Sequence, residues 1–467
     1  MNIPLMIIVV PLIASALVYF FRHWVWVQSV LAGITCFLLM VLTFQAPLGQ
    51  VVVLAGRDVL VEASWAWLGR SFIFTQDDRL MLTFIFSTAL LFFAGAPATF
   101  VSRSFIPAGL AILSFLVATI LVQPFMYAAL FLEIAAVLSV FMLSDREHRN
   151  TQGSLRLLVF MTLGGLFILL AAWQLTSYQA NPDTVAILGR ATIMLSIGFL
   201  ILLAAVPFHS WLPTVAQDAA PYATAFIFSI MQAAVFLFLL DVFAQYSWFR
   251  GNPVVPSILR VAALAMVIVG GVFAFAQRNL GRLMGYSVLI DCGAALLALG
   301  MGTPDALRVA ISIVGLRIMA LWVWGLGLGI LGAGYGGDFD RIRGRARVYP
   351  FASVAVLLGG LSVSGLPLMA GFAGRWALMQ FLATHDFLAA IMLLMAGVSV
   401  ILGHLRGLGS LLSYSASETS EWSVGEQPVT IICSGAGALA VLTVGVFPQW
   451  VLPAVTRTVD VLVLLIG

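Results

Sequence analysis

Fourteen stretches of this chain are apolar over roughly the length needed to cross a lipid bilayer, and that leaves few folds open. They cover residues 2–21, 26–46, 80–99, 105–123, 125–143, 155–176, 188–211, 220–242, 257–276, 284–301, 306–332, 349–372, 386–408 and 428–447. Hydrocarbon offers a backbone no hydrogen bonds, so a crossing segment must satisfy its own N–H and C=O groups, and runs near this length suit helices rather than shorter barrel strands. The chain is expected to be an all-α polytopic membrane protein with about 14 transmembrane helices. Composition excludes the alternative: 62% of its 467 residues are hydrophobic and 9% charged, against about 25% charged in soluble domains. So little polar surface cannot coat a soluble enzyme.

The formal charge of +3 is too small to mark a nucleic-acid partner. Met1–Phe21 has no charge ahead of its apolar run and meets Arg22 and His23 after it, so it is read as a retained helix rather than a signal peptide. With the N-terminus outside, Arg22, Arg103, Arg146, Arg149, Arg156, Arg278, Arg282, Arg341, Arg343, Arg345, Arg347 and Arg406 all fall on the cytoplasmic side. The positive-inside rule favours that arrangement, and a multi-pass place in the cell inner membrane is expected. Residues 47–79 form an external loop, and the tail Val451–Gly467, carrying Arg457 and Asp460, reads as an interfacial segment.

Two spans carry helix-breaking runs. Ala204–Pro213, with Pro207 and Pro213, interrupts the seventh, and Ser364–Arg375, with Pro367 and Gly371, interrupts the twelfth. Pro207 and Pro367 are 160 residues apart, and the intramembrane acids Glu133 and Asp291 are 158 apart. Such agreement points to a five-helix unit used twice. Five is odd, so the copies run inverted, the plan of transporters with sites beside discontinuous helices. The expected organisation is N-terminal helices over 1–104, repeats over 105–243 and 256–408, and a last helix with its tail over 428–467.

A carboxylate inside a span is costly and demands a partner. Glu133 is isolated in its apolar helix and is expected to face the protein interior. Asp291 lies within two turns of Tyr286 and Ser287, which offer local bonds. Arg317, deep in the eleventh span, requires an anionic or carbonyl partner, and Asp291 on the preceding helix is the natural one. Arg375, just past its break, has the option of snorkelling to the interface. His209 and His404 titrate near neutral pH; a carbonyl-capping role fits the first and a solvated helix end the second. Neither histidine has metal-ligand spacing, and no metal is expected. Cys36, Cys292 and Cys433 read as core residues. All 22 basic residues are arginine, with no lysine anywhere in the chain. Arginine keeps its proton at any pH a cell reaches, so no mechanism here can use a titrating lysine.

Three segments taken together, Ala205–Pro213 with Ala220-Pro221, Ala276–Ser287 and Gly365–Phe372, resemble one family. It comprises the antiporter-like membrane subunits of respiratory complex I and their multisubunit sodium/proton antiporter relatives. The segment Phe72–Leu80 is similar as well, so the resemblance runs from about residue 70 to 408. It implies a proton relay along the membrane centre: a glutamate on helix five, lysines on helices seven, eight and eleven, and a lysine or glutamate on helix twelve. Glu133 matches the helix-five glutamate. Leu202 takes the helix-seven lysine position, Gln232–Ala233 the helix-eight position, Arg317 the helix-eleven position and Arg375 the helix-twelve position.

The resemblance therefore implies a complex I-type subunit working beside other membrane subunits, its scaffold kept and its titrating cations replaced. The alternatives are a subunit of an ion/proton antiporter or inorganic-carbon uptake complex, or a purely structural spacer. No flavin, iron–sulfur or nicotinamide motif is present; no cofactor is expected, and any redox chemistry belongs to partner chains.

Overall fold

The computed structural model describes the chain apart from residues 1, 55–56, 68, 77, 145–149, 181–185, 333–335, 414–424, 452 and 454–467. Its helices are α1 (Ile3–Phe20), α2 (Val25–Gln45), α3 (Asp78–Gly95), α4 (Phe105–Leu121), α5 (Ala128–Leu143), α6 (Gln152–Ala180), α7 (Ala186–Leu202), α8 (Trp211–Asp218) and α9 (Pro221–Gln245). The chain continues through α10 (Ser247–Arg250), α11 (Val254–Ala276), α12 (Leu280–Leu299), α13 (Pro304–Leu331), α14 (Pro350–Ser364), α15 (Phe372–His385), α16 (Phe387–Leu412) and α17 (Pro428–Val446). Eleven of these are long and apolar enough to cross a membrane, and α4, α7 and α14 are shorter apolar helices. Each of the fourteen apolar runs expected from the sequence overlaps one of these helices.

α9, α12 and α13 are apolar on every side and almost wholly buried, as a helix without a polar face must be when it sits at the centre of a bundle. Small residues let them approach: a Cβ on Gly325 of α13 would press into Ala225 of α9. The peripheral helices α1, α2 and α17 instead leave large apolar side chains on the outer surface, among them Leu17, Ile34 and Leu439.

Both expected breaks are real. α7 stops at Leu202, Ala204 takes a positive φ of 58°, and helix resumes at Trp211. α14 stops at Ser364, Gly365 and Leu368 take φ of 77° and 70°, and helix resumes at Phe372. Non-glycine residues seldom adopt such angles, so two of them at corresponding breaks mark a built feature. Gly371 precedes α15, and its N–H, freed by the break, donates to Ser362 Oγ at 3.0 Å. Pro213 differs from expectation. It occupies the first turn of α8, where its missing N–H is no loss, and so continues the helix instead of breaking it. Four long apolar helices, α9, α11, α12 and α13, stand between the two broken spans.

The loop 47–79 carries β structure that the all-helical reading did not include. β1 (Val51–Leu54) pairs with β2 (Arg57–Leu60), and β3 (Ser64–Trp67) pairs with β4 (Arg70–Ile73), which also takes β5 (Val122–Gln123), all antiparallel. These strands are rich in valine and tryptophan but only two to four residues long, too short to stand out beside twenty-residue runs. Beyond Val451 and Pro453, the expected interfacial tail lies outside the described residues, as do Arg146 and Arg149.

Candidate functional site

α12, α13 and α15 each deliver one charged side chain to a single point inside the bundle. Asp291 Oδ1 accepts from Arg375 Nη2 at 3.3 Å, and its Oδ2 lies 3.7 Å from Arg317 Nε. Relative exposures are 4% for Asp291, 3% for Arg317 and 1% for Arg375, so no side chain of the three reaches the surface. Such a group persists only when its members pair, because removing charges from water costs several kcal/mol per ion.

The local sequence explains how Arg375 gets there. The break after Ser364 ends α14 early, and Gly365 lacks the Cβ that would collide with Arg375 Cδ. Its positive φ is also one glycine adopts without penalty. Ser364 O and Arg375 Nη1 both border Gly397 of α16, placing the carbonyl end of α14 beside the guanidinium. Arg317 Nη1 donates to Cys292 Sγ at 2.8 Å, and in the present orientation of the Gln232 amide Cys292 Sγ donates to its Oε1 on α9 at 3.2 Å. A polar chain thus joins α9 to α12, α13 and α15.

The sequence paired Arg317 with Asp291 correctly. It did not bring Arg375 to the same carboxylate: a snorkelling arginine was allowed for, and the structure buries it instead. Ser287 donates to Leu283 O, so it gives Asp291 no local bond. Cys292 and Gln232 were missed as members of the cluster. The adjacency of Cys292 to Asp291 was the available signal, hidden by the ordinary rule that an apolar-flanked cysteine is core.

His404 is another correction: it is fully buried rather than on a solvated end. Its Nδ1 bonds Val400 O at 2.9 Å, its ring packs 4.6 Å from Trp324, and its Nε2 fills space left by the missing side chain of Gly360. Trp324 stands two helical turns beyond Arg317, which separates His404 from the ion cluster. His209 sits in the single turn Phe208–Ser210 at the first break, half-buried, with no hydrogen-bond partner at Nδ1.

The first half of the chain is built differently. Glu133 Oε1 accepts from Thr162 Oγ1 at 2.6 Å in the seam between α5 and α6. The expected interior position is met in part, since the carboxyl turns into this seam. Glu133 is only half-buried, beside the exposed Leu130 and Ile134 of α5. Helical periodicity alone cannot choose a face in a helix that is apolar nearly all round. Leu202 is fully buried and closes against Gly164 of α6, where a Cβ would lie 2.7 Å from its Cγ.

Residues 122–403, more than half of the chain, match the family model described as NADH:quinone oxidoreductase/Mrp antiporter, TM. A NADH-quinone oxidoreductase subunit N of Deinococcus radiodurans is 22% identical over 271 residues, covering 58% of this chain and 55% of that protein. The chain thus spans about half the length of the curated relatives it matches. Among solved structures, a chain of the Mrp complex from Dietzia sp. superposes with a TM-score of 0.81 at 16% identity, covering 99% of both chains. A chain of respiratory complex I from Thermus thermophilus does so with a TM-score of 0.75 at 19% identity, covering 99% of this chain and 100% of that one. At these identities the likeness is one of fold.

Proposed function

Since the chain belongs to the NADH:quinone oxidoreductase/Mrp antiporter membrane family, we propose that it serves as an antiporter-like membrane subunit of a complex I-type assembly, supplying scaffold and interfaces instead of a lysine relay. The observation that carries this reading is Asp291 shared between Arg317 and Arg375. A relay needs cations that alternately hold and release protons, and two guanidiniums do neither. They pair with the carboxylate without taking or giving a proton. In the other half, Leu202 leaves Glu133 without a cation from that position.

In this reading the units over 105–243 and 256–408 are the inverted repeats, the N-terminus lies outside the inner membrane, and redox chemistry resides in partner chains. Glu133, partly exposed beside Leu130 and Ile134, is covered by a neighbouring membrane subunit, because a carboxylate facing acyl chains is strongly disfavoured. The test is affinity purification from native membranes in mild detergent, with the co-purifying chains identified by mass spectrometry. Other polytopic subunits together with hydrophilic redox subunits are expected. Recovery with ion-antiporter or carbon-uptake subunits, or of the chain alone, would contradict the assignment.

A further inference from the structure

Arg317 and Arg375 bring two permanent positive charges into the bundle, and Asp291 answers one of them. Arg375 Nε and Nη1 are buried without a hydrogen-bond partner. Arg317 Nη1 turns elsewhere, to Cys292 Sγ at 2.8 Å. Among the described residues, no ionised group besides Asp291 and Arg317 is aimed at this sulfur from the elements packed on α12, and Asp305 of α13 pairs with Arg308. α14 carries no charge, and Asp218 of α8 is taken by Gly153 N and Asn150. Arg260 of α11 pairs with Asp386. On α16, His404 bonds Val400 O and Arg406 bonds Phe275 O. His385, on α15, bonds Thr384. On α12 itself, Arg282 and Tyr286 lie more than a turn away from Cys292.

An uncompensated ion in a dry interior is severely penalised, whereas a guanidinium in contact favours a thiolate over a thiol. We propose that Cys292 is held as a thiolate, the second anion of a buried quartet with Asp291, Arg317 and Arg375. Its S–H bond breaks as the site forms, the electron pair stays on Sγ, and the proton passes to bulk water. Gln232 completes the site. Its Nε2 is buried without a partner, and turning the amide over brings that N–H onto the sulfur as a donor. The quartet deepens the reading of this cluster as fixed rather than alternating. It concerns a protonation state, so its failure is separable from any result on transport or on partner chains.

The test is infrared spectroscopy of the intact assembly, as the difference between wild type and Cys292→Ser, read at the S–H stretch. An ordinary thiol is protonated at about pH 7 and shows that band; Cys292 is expected to show none. In an Arg317→Gln background the same difference spectrum is expected to contain the band. Gln232→Glu supplies a carboxylate beside the sulfur and should restore the band without removing either arginine, which covers the case that Arg317→Gln fails to fold. An S–H band from Cys292 in the wild-type assembly at about pH 7 would overturn the proposal. So would its absence from wild type and both variants alike.

Discussion

Asp291 and Arg375, 84 residues apart in sequence, meet at 3.3 Å in the interior because the helix break after Ser364 lets the second approach the first. The pair ties the broken span to α12. Asp291→Asn leaves two guanidiniums buried without a full counter-charge and is expected to cost about 3–5 kcal/mol. Arg375→Gln removes one cation but leaves Asp291 still beside Arg317, so a smaller loss is expected. Thermal unfolding of the assembly in detergent ranks the two, and equal losses would contradict this ranking.

Gly365 is the second support of that meeting. Gly365→Ala forces a side chain into a left-handed conformation, about 1–2 kcal/mol, and drives its Cβ into Arg375 Cδ. The double variant Gly365→Ala/Arg375→Gln should recover the part due to collision. Additive losses in a double-mutant cycle would show that the two residues do not press on one another.

Leu202 is wholly buried against Gly164. Restoring the family's lysine as Leu202→Lys is expected to destabilise the chain by several kcal/mol, on the order of 3. Expression and thermal stability at wild-type levels would mean that an anionic partner already waits there.

Glu426 reaches back 74 residues to accept Ala352 N at 2.8 Å and Phe351 N at 3.3 Å, capping the start of α14 from outside the span. Glu426→Ala should cost about 1 kcal/mol, as other lost caps do, and Glu426→Gln less, since it keeps an acceptor. Burial pushes this carboxyl above the ordinary glutamate value, with the two N–H groups pulling it back. An acid raised on folding binds its proton more tightly in the folded state. Its contribution is therefore full below the unfolded value, about 4.3, and is lost as pH rises through the raised one. Stability measured across that window should fall for wild type and stay flat for Glu426→Gln.

Much of this was legible beforehand. Uninterrupted apolar length gave the fourteen apolar helices, and Pro207 and Pro367 marked both breaks, whereas Pro213 in the first turn of α8 and Pro11 inside α1 interrupt nothing. Arg317 announced a partner because an unpaired cation is not tolerated in hydrocarbon. Which face a residue takes was another matter. In α16 His404 has no polar stripe beside it to fix direction, so it went inward against expectation, while Glu133 of α5 stops in the seam with Thr162 of α6. Arg375 was hidden for a related reason: its position depends on the path of the chain through the break, set by Gly365 and Leu368.

The central claim is that this subunit does not pass protons by the family's relay, and proton flux through the reconstituted assembly tests it most directly. Wild type and Glu133→Gln would be compared in liposomes at matched protein incorporation. The account predicts equal flux, because Leu202 offers Glu133 no lysine to trade protons with and Arg317 cannot release one. A large loss in Glu133→Gln would contradict it, since protons would then be passing through that carboxylate.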